Sequence, residues 1–169
     1  MVGRRAFVLG LGGLGAGSAL AQVDVGSASS MARLVPAQTL ERAAAEQYAE
    51  LLAQARRQGV LARMQDPQLL QLHAVARKLI PFALQWNERS RAWRWEVNLI
   101  RSREVNAFCM PGGKIVFHAG ILDRLRLSED EIAMVMGHEM AHALREHARE
   151  RLAKTQATNI GINLGAQLL

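Results

Sequence analysis

The chain has a single cysteine, Cys109, among 169 residues. No disulfide can form within it, so its stability must come from a packed core rather than from covalent staples. The neighbours of Cys109 are apolar, which reads as a small buried strand residue rather than a reactive thiol. The sequence also lacks a long basic block. Arg4 and Arg5 belong to the leader described below. With them set aside, 19 Lys and Arg face 15 Asp and Glu, a surplus of four scattered along the chain. Aromatics are only 5% of residues and none interleaves with a basic run, so the electrostatic and stacking footprint of a nucleic-acid binder is missing. No internal repeat is visible. What is present is the balance of a soluble globular domain, with 50% hydrophobic and 21% charged residues, and a length that fits one domain.

The first 21 residues, MVGRRAFVLGLGGLGAGSALA, combine a short basic start, a glycine-rich apolar stretch and small residues ending in an A-x-A site. This is the layout of a secretory signal cleaved after Ala21, and it predicts export to the periplasm or beyond. The RRAF start followed by a weakly hydrophobic run resembles a twin-arginine leader, with an ordinary secretory signal as the alternative. An uncleaved anchor is the competing reading, but five glycines between residues 10 and 17 make poor material for a spanning helix. Residues 22–38, with GSASS, read as a flexible linker, and residues 39–169 as the folded domain.

Within that domain, Leu40, Ala44, Leu51, Leu52 and Ala55 recur at helical spacing, and Gly59 ends the pattern. Asp66 and Pro67 form an N-cap and first helical position. Leu69, Leu72, Val75, Ala76 and Leu79 give a second amphipathic helix that stops before Pro81. His73 lies in it without a partner at ligand spacing and reads as a solvated or core-edge residue. The period then becomes two: Trp93, Trp95, Val97 and Leu99 alternate with Arg94, Glu96 and Asn98, as expected of a strand with one buried face. Two more strands, 105–110 and 114–118, are joined through Pro111-Gly112-Gly113 as a hairpin. His118 closes the last strand and needs no special function there. Ser128-Glu129-Asp130-Glu131 is a capping box opening one continuous helix. The order of helices, strands and helix predicts an α+β fold, with a small antiparallel sheet and the last helix packed on it.

That helix carries GHEMAHALREH at residues 137–147. His138 and His142 are four apart, so their imidazoles leave one face about 6 Å apart along the axis and can converge on one ion. Glu139 is rotated by one residue step, which sets its carboxylate beside the metal rather than on it. This is the H-E-x-x-H arrangement of two Zn2+ ligands and a general base. Zinc lowers the pKa of its bound water to about 7 and polarises a carbonyl; the glutamate takes the proton and returns it to the leaving amine. Peptide hydrolysis is the reaction class. His147, nine residues after His138, points about 180° away on a continuous helix and reads as a structural residue or a support behind a ligand, not as a ligand. Glu146 lies about 12 Å along the axis from His138, too far to share its ion.

Three blocks carry a resemblance: WRWEVNLI at 93–100, NAFCMPGGKIVFHAGIL at 106–122 and EDEIAMVMGHEMAHALREH at 129–147. In this order they resemble the HtpX-like zinc metalloendopeptidases, peptidase family M forty-eight, over residues 40–169, and most of all exported bacterial members that act in envelope protein quality control. The resemblance implies a zincin-like fold, His138 and His142 as zinc ligands, Glu139 as the base, and a substrate cleft beside the strand at 106–110. It implies polypeptide substrates, with peripheral contact to the membrane or to envelope proteins. The family takes its third zinc ligand from a glutamate on a later helix, in an E-x-x-x-D-type segment. No such segment occurs here, and the apolar pattern of NIGINLGAQLL at 159–169 is interrupted, so the chain reads as the N-terminal portion of such an enzyme. A non-catalytic binding or chaperone-like module is the alternative.

Overall fold

A computed structural model describes residues 35–155. The expected leader at 1–21, the linker as far as residue 34 and the segment 156–169 lie outside the described residues. Helix α1 spans Ala37–Arg57. It starts two residues inside the span expected to be linker, where Val35 and Ala37 are already buried. Gly59 follows at φ +69°, ending the helix as expected. Helix α2 spans Pro67–Leu79, and the Asp66 side chain accepts from the amides of Gln68 and Leu69. The chain does not leave helical geometry at Pro81: residues Ile80–Gln85 form a 3-10 turn with the proline in its first turn, where no amide donor is needed. A second 3-10 turn covers Glu88–Ala92. It is tied to α1 by Arg89, whose guanidinium grips both oxygens of the Glu41 carboxylate at 2.9 Å.

Strands β1 (Glu96–Ile100), β2 (Ala107–Met110) and β3 (Lys114–His118) form one sheet in the order β1-β3-β2. The expected hairpin of β2 and β3 is present, turning through Gly112 and Gly113 at φ +83° and +76°. At Gly113 a Cβ would meet the Trp95 ring at 2.7 Å, so only glycine fits. The all-antiparallel expectation is corrected: β1 lies on the far side of β3 and runs parallel to it, with Val97 opposite Ile115 and Leu99 opposite Phe117. Period-two alternation defines which side chains share a face and says nothing of a neighbour's direction. β1 also starts at Glu96, so Trp93 and Trp95 pack on the core from an irregular segment, with ring centroids 5.3 Å apart.

The central place of β3 explains its burial. All five of its residues are buried. Ile115 and Phe117 point into a core built with Leu69, Leu72 and Val75 of α2 and with Ile132, Met136 and Met140 of the last helix. Val116 points the other way, against Tyr48 and Ala55 of α1. The sheet is therefore covered on both faces, an α+β layering of the zincin-like kind. A short helix, α3 (Ala119–Leu125), leads to α4, Glu129–Leu144, which packs on β2 and α2.

Candidate metal centre

Helix α4 owes its position to two features of its sequence. At its start the Ser128 side chain accepts from the Glu131 amide, while Glu131 accepts from the Ser128 amide at 2.8 Å. Hydrogen bonds from Ser128 to the ionised form hold the Glu131 carboxyl below its usual range. Along its length Ile132, Met136, Met140 and Leu144 recur every fourth residue and are buried, so the opposite face is turned outward. His138 is exposed there, and Glu139 and His142 are half-buried.

The Nε2 atoms of His138 and His142 face each other at 3.0 Å, with ring centroids 4.5 Å apart and planes at 87°. A tetrahedral Zn2+ with Zn–N bonds of about 2.0–2.1 Å separates two nitrogen donors by about 3.3 Å. The pair is thus within a few tenths of an ångström of a two-donor grip, and imidazole nitrogen is a donor suited to zinc. Glu139 stands one residue step round the helix, near enough to β2 for its charge to act on Cys109. Its charge and, above all, burial push the Cys109 thiol up to about 12. Cys109 lies on β2 as expected of a strand residue, but it is half-buried rather than buried. Among the described residues no group of three or more His, Cys, Asp or Glu side chains is placed to hold an ion.

His147 is where the structure departs furthest from the sequence reading. Helix α4 is not continuous: it ends at Leu144, Arg145 caps it, and Glu146 adopts the left-handed conformation at φ +57°. Residues 147–155 are then helical again on a new course. Glu146 is held there by Arg149 Nη1 at 2.8 Å, and Arg149 Nε donates to the Val35 carbonyl. Asn87 Nδ2 donates to the freed carbonyl of Leu144 at 2.9 Å. The break swings His147 back until its Nδ1 lies 2.6 Å from Nδ1 of His142. Burial, then the neighbouring His142 and Arg145, lower its pKa. No glycine or proline marks the break, and a glutamate in left-handed geometry is rare, so the sequence carries no signal for it.

The other histidines stand apart from this group. His73 hydrogen-bonds through Nε2 to the Val97 carbonyl at 2.9 Å, which is the core-edge role. His118 is buried at the end of β3, with Nδ1 2.8 Å from the Ser102 hydroxyl and 3.5 Å from Glu104. There it pins the loop between β1 and β2. Gly120 completes that clamp, since a Cβ would collide with the carbonyls of Arg103 and Glu104.

A helix presenting two imidazoles one turn apart, with a carboxylate between them and a strand alongside, is the arrangement found in metal-dependent peptidases. The chain belongs to Peptidase family M48, whose family model matches residues 66–169. It is 45% identical over 60 residues to the mitochondrial metalloendopeptidase OMA1 of Arabidopsis thaliana, a match covering 36% of this chain and 12% of the relative. With the mitochondrial metalloendopeptidase OMA1 of Schizosaccharomyces pombe it shares 40% identity over 76 residues, covering 45% and 22%. With the metalloprotease LoiP of Escherichia coli it shares 33% over 58 residues, covering 34% and 22%. The matched part thus spans less than a quarter of the length of each of these relatives.

Proposed function

We propose that this chain carries the catalytic helix of a zinc-dependent endopeptidase of the HtpX-like kind. In this reading His138 and His142 are zinc ligands through Nε2 and Glu139 is the general base. The observation that carries it is the pair of Nε2 atoms at 3.0 Å, with the half-buried Glu139 one residue step round the same helix. A bound zinc ion would supply a water acidic enough to attack at neutral pH and would polarise the scissile carbonyl. Glu139, half-buried on α4, would take the proton of that water and deliver it to the leaving amine. The third ligand would come from outside residues 35–155. The leader at 1–21 supports export, and exposed segments of misfolded envelope polypeptides are the proposed substrates. No helix among the described residues is long and apolar enough to cross a membrane; any membrane association is proposed as peripheral.

The test is cleavage of an unfolded, casein-type substrate by zinc-loaded full chain. A chelator should abolish cleavage, and Glu139→Gln should lower it by about 10²–10⁴-fold while leaving zinc bound. Cleavage that survives Glu139→Gln overturns the assignment of the base. The lack of a third ligand among the described residues favours a second reading, a non-catalytic binding module. That reading predicts no detectable proteolysis and client binding unchanged by His138→Ala.

A further inference from the structure

The structure gives His147 a particular partner, which the sequence pattern left open. Its Nδ1 and that of His142 are 2.6 Å apart, with ring centroids at 4.8 Å and planes at 61°. Two imidazole lone pairs cannot face each other at that distance, so one of the nitrogens carries the proton between them. The other ring nitrogen of His142 faces His138. A neutral histidine that offers Nε2 to a metal must keep its proton on Nδ1, and Nδ1 of His142 then donates to Nδ1 of His147. His147 in turn keeps its own proton on Nε2.

We propose that His147 is the positioning residue for His142: it accepts the His142 Nδ1 proton, selects the tautomer that frees Nε2, and holds the ring plane toward His138. This rests on the reading of His138 and His142 as ligands, and it goes beyond it. Two geometric features set the contact up. On a straight helix His147 would stand 140° round from His142, five residues on; the left-handed Glu146 removes that separation. The turn is itself fastened, by Arg149 on Glu146, by Arg149 on the Val35 carbonyl and by Asn87 on the Leu144 carbonyl. An acceptor behind a metal-bound histidine raises its basicity and fixes its orientation, and loss of such a partner weakens metal binding by about 10–100-fold.

The experiment measures zinc affinity of the full chain by competition with a chromophoric chelator, alongside ring ¹⁵N spectra of His142. His147→Phe should weaken zinc by about 10–100-fold, and in the zinc-free chain His142 should lose its single Nδ1-protonated signature and show both tautomers. His147→Gln, whose side-chain oxygen can still accept, should recover part of both. Thermal melting of the zinc-free variants separates these effects from a folding defect, since a merely structural histidine would move the melting point and not the tautomer. Zinc affinity within about two-fold of the parent in His147→Phe, in a chain where His138→Ala abolishes binding, overturns the positioning role and leaves the ligand assignment standing. Zinc bound equally well by the parent and by His138→Ala overturns both. A metal coupling to a ring nitrogen of His147 makes it a ligand and also overturns the proposal.

Discussion

The single cysteine offers a clean test of how the sheet and the catalytic helix meet. Cys109 is pushed from its usual value near 9 up to about 12, by burial first and by the charge of Glu139 second. At pH 8 a free thiol with pKa near 9 is about 10% thiolate, whereas one near 12 is about 0.01%. Alkylation runs through the thiolate, so iodoacetamide should label the native chain about 10³-fold more slowly than the urea-unfolded chain. The same shift has a thermodynamic counterpart. The folded state keeps a proton that the unfolded chain releases between pH 9 and 12, so stability is unaffected below pH 9 and falls as pH rises through that window. The loss reaches at most about 4 kcal/mol, at about 1.4 kcal/mol per unit, and less where solvent reaches the half-buried sulfur. Cys109→Ala should flatten this alkaline slope. Glu139→Gln should speed alkylation by less than about ten-fold, because burial is the larger cause. Native labelling within ten-fold of the unfolded rate would refute the placement of β2 against α4, and with it the seat proposed for Glu139.

Other expectations follow from individual contacts. Ser128→Ala removes the cap of α4 and should cost about 1 kcal/mol in chemical denaturation. The depressed pKa of Glu131 means that its share of the capping box is present above the usual carboxylate range and is lost as pH falls through the folded-state value. Glu131→Gln should therefore make acid melting curves less steep. Tyr48→Phe leaves Asn98 Nδ2, now 2.7 Å from the phenol oxygen, without its partner and should cost about 1–3 kcal/mol. Gly120→Ala drives a methyl into the backbone of Arg103 and Glu104 and should lower stability by about 1–3 kcal/mol. Gly137→Ala, where a Cβ meets nothing within 4 Å, should stabilise α4 by up to about 1 kcal/mol.

The features legible in the sequence are those that local chemistry governs. Asp66-Pro67, Ser128 to Glu131 and Pro111-Gly112-Gly113 act within a turn of chain, and each stands where its residue types place it. The spacing of His138 and His142 is equally local: four residues on any α-helix bring two side chains to one face, so their convergence required only that α4 form. Family membership was legible for the same reason, through short blocks in a fixed order. What tertiary structure decided lay beyond that range. β1 runs parallel to β3 because the loop at 101–106, clamped by His118, Ser102 and Gly120, carries the chain past β3 to its far edge; alternation in one strand holds no record of that path. His147 reaches His142 because Asn87 and the Val35 carbonyl, from two distant parts of the chain, join the neighbouring Arg149 in holding the turn at Glu146, a conformation its own propensity disfavours.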